Sequence, residues 1–352
     1  MSQTQTIQLG TRTTGFWAKL KLTIARRTEG RGVVLLAGVL IGVLVAEQTV
    51  FTAYSVTLGR IALVGLVALG LTVVILMGEL DLSVASTLAL AGVVTASIPD
   101  LGLGILAGLG VGVIVGIVNA FLVAIIGINS FIATLGMLFF LRGLALVVSN
   151  EAPVKLNDVE AGIAFGQPLI GPITPRILVF ILVFIGLQIF ISRIRVGREF
   201  LAVGGNRQAA RDAGIPVKLR IFTGFIISGV VAAGAGVMNT LERTAADPIA
   251  GSTVLLASFA AAIIGGNYLK GGRGSVVGTL IGAASLGIIQ VALTLAAVQV
   301  PIQQIFIGLL LLLAVTTDPN NLRAVISSIR TLRTGRGKVA EPSAATNRST
   351  SS

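Results

Sequence analysis

Ten runs of apolar residues, most of them close to the thickness of a bilayer, occupy most of this chain and leave it few ways to fold. The hydrocarbon core of a membrane takes about 20 apolar residues per helix. Runs near that length fall at Val33–Val50, Ile61–Met77, Leu82–Ile98, Leu101–Ile126, Phe131–Val148, Ile177–Ile191, Ile221–Met238, Val254–Ile264, Val276–Leu295 and Val300–Val315. Hydrophobic residues make up 54% of the chain and charged ones 11%, against about a quarter charged in a soluble domain. Such a chain has too little polar surface to cover its apolar groups in water. The expected fold class is therefore an all-α polytopic membrane protein with about ten transmembrane helices. The sixth run is marginal in length. The eighth is too short to span alone, so it is either longer than its hydropathy shows or a re-entrant piece.

The charges fix an orientation. Of the 26 Lys and Arg residues, six precede residue 32, seven lie between Arg193 and Arg220, and six follow Asp318. Cytoplasmic loops carry the excess of basic residues. Ten spans with a cytoplasmic N-terminus return the C-terminus to the same side and place the 193–220 island and the Lys270/Arg273 turn there too. The Asn150–Pro175 loop, with Glu151, Asp158 and Glu160 against Lys155, then falls outside. The expected layout is a basic cytoplasmic segment over 1–31, a transmembrane domain over 32–318, and a basic, partly disordered cytoplasmic tail over 319–352. The first thirty residues lack a small-residue cleavage site after a short apolar core, which argues against a cleaved signal peptide. The net charge of +12 comes without an aromatic-rich basic face, so nucleic acid is not an expected partner; membrane lipid is. Cysteine and histidine are both absent, which removes disulfides, thiol chemistry and imidazole sites. No catalytic set and no metal set is expected.

Polar residues that interrupt the runs are the candidates for function, because a centred charge costs roughly 3 kcal/mol on insertion scales. Gly78-Glu79-Leu80-Asp81-Leu82-Ser83 separates two apolar runs with almost no loop. Asp81 is placed to cap a helix starting at Leu82, and Gly78 permits the bend. The segment reads either as a tight cytoplasmic or interfacial turn or as a broken helix lining a translocation path. Asn119, Asn129, Ser130 and Thr134 form a second polar group, suited to a hydroxyl-rich solute or equally to holding helices together. Asp81, Ser83, Asn119, Asn129 and Thr134 are the candidate pathway residues. Arg142 lies well inside its run, and its expected role is structural, paired with a carboxylate or with backbone carbonyls that the sequence does not name. The glycines at 102, 104, 108, 110, 112 and 116 read as close helix packing.

The basic island holds a short helix marked at both ends. Asn206 can cap its start, Arg207 to Ala213 supplies helix formers, Gly214 suits the left-handed residue past its end, and Pro216 blocks continuation. A helix this short does not hold itself together in water, so it needs a partner surface. The glycine-rich Gly271-Gly272-Arg273-Gly274-Ser275 is a turn between spans. It lacks the P-loop pattern, as does the rest of the chain, so ATP hydrolysis is not expected of this polypeptide.

Four of these stretches, in order, resemble one family. Glu79-Leu80-Asp81-Leu82-Ser83-Val84, then Phe131-Ile132-Ala133-Thr134-Leu135-Gly136 with Arg142-Gly143-Leu144, then Gly204-Gly205-Asn206 with Ala209-Ala210 and Gly214-Ile215, then Ile264-Gly265-Gly266 with Gly271 to Ser275 follow the ribose/monosaccharide-type ABC importer permeases. The resemblance implies a homodimeric or heterodimeric permease, the homodimer being expected. It implies two copies of a separate ABC ATPase that carries ATP and Mg, an extracytoplasmic solute-binding protein, and a bacterial plasma (inner) membrane location. Gln208-Ala209-Ala210, followed after three residues by Gly214, resembles the signature that docks on the ATPase. It assigns Gly204, Gly205, Asn206, Gln208, Ala209, Ala210, Arg211 and Gly214 to ATPase coupling. Two departures bear on the solute: Glu79 stands where the family usually has glycine, and Leu255 and Ala257 stand at positions that tend to be acidic. The competing reading is an ion-coupled secondary transporter acting without an ATPase.

Overall fold

The computed structural model describes residues 30–46 and 49–316. The expected basic segment 1–31 and tail 319–352 lie outside the described residues, apart from the first turn of the opening helix. The helices are α1 (Gly30–Ala46), α2 (Thr49–Thr52), α3 (Tyr54–Leu76), α4 (Val84–Ser97), α5 (Leu101–Ala120, continued by a π-turn over Phe121–Ile126), α6 (Ser130–Ser149), α7 (Val159–Gly166), α8 (Pro175–Arg193), α9 (Arg195–Gly205), α10 (Arg207–Asp212), α11 (Val217–Arg243), α12 (Ser252–Ile264), α13 (Val276–Leu295) and α14 (Val300–Thr316). Among the described residues, six helices are long and apolar enough to cross a membrane and four more are apolar but shorter. Together they occupy the ten expected positions. The sixth, α8, is longer than hydropathy alone indicates, because Pro175 starts it early with a backbone angle already suited to a helix. The eighth, α12, has 13 residues and remains short.

Burial separates core helices from peripheral ones. In α3, 83% of the apolar window is buried within the chain, against 22% in α6. The helix α11 packs against α3, α4 and α5, with α5 its most extensive neighbour. Glycine spacing explains that contact. Gly104, Gly108, Gly112 and Gly116 recur every fourth residue and form one face of α5, and all four are buried. A Cβ at Gly112 would overlap the Gly229 carbonyl, and one at Gly116 would sit 2.6 Å from the Phe225 oxygen. Without a hydrophobic force between helices in lipid, such close backbone approach is what holds them. Gly110, off this face, has nothing within 4 Å.

At the far end of α11 the Asn150–Pro175 connection is a folded clasp. Strand β1 (Val154–Lys155) pairs antiparallel with β2 (Ala245–Ala246), Val154 opposite Ala246. Helix α7 is capped by Asp158, which accepts from Ala161 N at 2.8 Å. Arg176 at the start of α8 forms an ion pair with Glu242 near the end of α11. At the other end, Asn267 closes the Gly265–Ser275 turn: its Nδ2 donates to the Ala262 carbonyl and Thr279 Oγ1, and its Oδ1 accepts from Ser275 N.

Gly112→Leu is expected to lower the melting temperature of the detergent-purified protein by several degrees or to abolish its folding, since overpacking costs about 1–3 kcal/mol or more. Gly110→Leu is expected to melt with the wild type. Thermal size-exclusion profiles of both variants check the contrast.

Candidate functional site

The segment between α3 and α4 is a turn that is largely buried, with the Lys270–Gly272 turn packed against it. Helix α3 stops at Leu76, Gly78 takes a φ of +75° that a side chain rarely adopts, and α4 begins only at Val84. The expected capping of a helix at Leu82 by Asp81 is therefore not what forms. Asp81 Oδ1 instead accepts from Ser83 N at 3.1 Å and Ser83 Oγ at 2.6 Å, tying off the irregular turn. Its Oδ2 accepts from Ser228 Oγ of α11 at 2.9 Å. Asn119 Nδ2 of α5 donates to Ser83 Oγ at 2.8 Å, while Asn119 Oδ1 is buried without a partner. The break's own amides are satisfied by α6: Leu80 N donates to Ser130 Oγ and Leu82 N to Thr134 Oγ1, each at 3.1 Å.

Four of the five candidate pathway residues thus meet at this break, and Asp81, Ser83, Asn119 and Thr134 are all at most 1% exposed. Asn129 is not among them. It is exposed and caps α6, accepting from Phe131 N at 3.0 Å. Ser228 belongs to the network but escapes sequence reading, because a serine among glycines and alanines looks like ordinary helix packing.

The basic island holds two helices where the sequence suggested one. Helix α9 went unmarked, although Val196, Phe200 and Val203 recur at helical spacing beneath the charge. Phe200 and Val203 are fully buried, and Phe200 meets the Phe190 ring edge-on at 5.6 Å. Glu199 accepts from Arg195 and from Arg220, pinning α9 to the start of α11. The Arg220 hydrogen bond holds the Glu199 carboxyl below the usual carboxylate range, with burial opposing and Arg195 assisting. Because the folded value is depressed, the clamp contributes stability above the unfolded glutamate pKa and loses it as pH falls through the folded value.

Helix α10 is capped as its sequence indicates. Asn206 Oδ1 accepts from Ala209 N at 3.0 Å; Gly214 has φ +77°, and Ile215 N bonds back to the Ala210 carbonyl at 3.0 Å. Part of its missing partner surface is this chain itself, since Ala210 is buried in the main core cluster. The side left open carries Gly205, Asn206, Gln208, Ala209, Arg211 and Gly214.

The end of α9, just before α10, touches the break directly. A Cβ on Gly204 would overlap the Leu76 carbonyl, and one on Gly271 would lie 2.7 Å from Gly78 Cα. Gly272 N donates to the same Leu76 carbonyl at 2.9 Å. The three glycine turns at 78, 204–205 and 271–272 therefore meet backbone to backbone. Arg207 of α10 adds an ion pair to Glu79, whose side chain is 5% exposed. The role of Glu79, which its sequence left open, is to anchor the break to α10.

A bundle of hydrophobic helices around a buried polar break, with a capped polar helix paired to that break through Arg207 and Glu79, suits a membrane permease. Residues 53–315 match the family described as "Branched-chain amino acid transport system / permease component", and the chain belongs to that family. It is 37% identical over 263 residues to the ribose import permease protein of Escherichia coli (strain K12), covering 72% of this chain and 81% of that one. It is 36% identical over 258 residues to the D-allose transport system permease protein of the same organism, covering 72% and 79%. Against a probable ABC transporter permease protein of Sinorhizobium fredii (strain NBRC 101917 / NGR234), identity is 33% over 256 residues, covering 72% and 77%. No solved structure matches. The chain is a multi-pass transport permease of the ABC importer class, a transport subunit and not an enzyme.

Ser83→Ala removes the hydroxyl that joins Asp81 to Asn119 and leaves both buried groups short of a partner. A loss of about 1–3 kcal/mol is expected, read as a lower melting temperature in detergent. Ser228→Ala is expected to cost less, because Asp81 keeps its two bonds to Ser83.

Proposed function

We propose that this permease forms the translocation path for a monosaccharide or similar polyhydroxy solute in a bacterial inner membrane. It works as a homodimer over two ABC ATPase subunits, which bind ATP and Mg, and beneath an extracytoplasmic solute-binding protein. The observation that carries this reading is the contact between α10 and the break. A helix whose open side presents small and polar residues, whose Arg207 pairs with Glu79, and which follows directly on the Gly204 contact to Leu76, is built to pass force from a docked partner into the bundle. The ribose and D-allose permeases among its relatives favour a sugar. The ion-coupled alternative has no counterpart to this exposed, capped helix. Asp81, Ser83, Asn119, Asn129 and Thr134 are proposed to shape the path through the break they hold or flank, and both chain termini are proposed to be cytoplasmic.

Docking is tested on the open side of α10. Ala209→Trp overfills the contact without entering the core, whereas Ala210 points inward and would report packing instead. Gly214→Val places a β-branched residue at positive φ, at a cost of order 1–2 kcal/mol. Both Ala209→Trp and Gly214→Val are expected to lose ATPase co-purification or solute-stimulated ATP hydrolysis in liposomes at least tenfold, with the membrane domain still folded. Full stimulation in both would overturn the coupling role of α10. Uptake of D-ribose or D-allose driven by an ion gradient without any ATPase would return the secondary-transporter reading.

Orientation is read separately. The chain contains no cysteine, so a single thiol at Asp158 is expected to label from outside and one at Arg273 only after permeabilisation. The reverse pattern would invert the proposed topology.

A further inference from the structure

Arg142 lies in α6, which spans Ser130–Ser149, roughly 10 Å along the axis from the Ser149 end. Its side chain is exposed and, among the described residues, has no hydrogen-bond or ion-pair partner. Beside it is a hollow of about 240 Å³, walled by Ala85 and Ser86 of α4, Leu138 of α6, and Gly251, Ser252 and Leu255 at the start of α12. The two hydroxyls each donate to a backbone carbonyl, Ser86 to Leu138 and Ser252 to Ile249, and keep lone pairs free. The hollow is deep. Gly251 packs directly on the Ala85 carbonyl, and Ala85 is roughly 18 Å along α4 from its Ser97 end.

Two further facts mark the place. The irregular stretch Pro248–Gly251 lines it, and non-helical backbone at membrane depth persists only where protein covers it or water reaches it. The short apolar helices α4 and α12 both begin here, and discontinuous helices are where transporters form their solute sites. An unpaired guanidinium turned toward lipid would be costly; turned toward a wet hollow, it becomes a donor fork for two neighbouring oxygens.

We infer that this hollow is a water-filled solute subsite in which Arg142 binds paired oxygen acceptors, either vicinal hydroxyls or a carboxylate, with Ser86 and Ser252 alongside. The inference deepens the sugar-importer reading and rests on it for the solute, though not for the water.

The test uses the full chain with its ATPase and solute-binding protein in liposomes, carrying single cysteines at Ser86, Ser252 or, as a control on the exposed apolar face of α6, Phe140. Membrane-impermeant sulfonatoethyl and trimethylammonioethyl methanethiosulfonates are the probes. Cysteines at 86 and 252 are expected to react, favouring the anionic reagent roughly tenfold, and to lose that preference in Arg142→Gln; the cysteine at 140 is expected to react with neither. No reaction at 86 and 252, or a charge preference indifferent to Arg142, overturns the subsite. Protection of these thiols by D-ribose identifies the diol and protection by D-ribonate the carboxylate, each abolished by Arg142→Gln. Protection by neither removes the solute role. Wild-type uptake of D-ribose or D-allose keeps the two readings apart. If wild-type uptake is absent, the sugar-importer reading fails; if Arg142→Gln leaves that uptake and its KM unchanged, the subsite fails.

Discussion

In hydrocarbon a backbone amide has no water to turn to, and an unpaired one costs several kcal/mol. The break between α3 and α4 is buried where α3 ends, so its donors must be met by other helices. Ser130 and Thr134 of α6 accept from Leu80 and Leu82, and Ser228 of α11 and Ser83 satisfy Asp81. These bonds reach only if the helices come very close, and the glycine face of α5 against Gly229 and Phe225 is what lets α11 approach. Close packing and the polar break are thus one requirement met twice.

The two carboxylates of the break are held differently. Asp81 is ringed by hydroxyls and a backbone amide, in a setting that keeps it fixed in relation to α5 and α11. Glu79 is paired with Arg207, whose side chain is 43% exposed, so its partner sits on an element that an outside protein can reach. Removing one member of a buried pair commonly costs about 3–5 kcal/mol, moderated here by the exposure of Arg207. The break is anchored rigidly on its bundle side and through a reachable contact on the other.

The ten spans and both ends of α10 were legible in the sequence because hydropathy and capping are local signals. Asn206, Gly214 and the four-residue glycine spacing each carry their meaning within one turn of chain. What was not legible depends on partners far away. Ser228 bonds to a residue 147 positions earlier and Arg207 to one 128 positions earlier, and neither leaves a mark on its neighbours. The inward turn of Ala210 was hidden for the same reason, since an alanine suits either side of a helix. Helix α9 had a local signal in its apolar stripe, masked by the arginines around it.

The clasp at the Arg243 end of α11 makes that helix a lever. One end is fastened by the β1–β2 pair and by Arg176–Glu242, and the other carries α9 through Arg220–Glu199. Ser228 stands near the midpoint of the helix, so a rigid tilt about the fastened end would move it by roughly half the displacement at Val217. The position of one serine along a helix therefore scales what the Arg195–Asp212 hairpin can pass to the polar break.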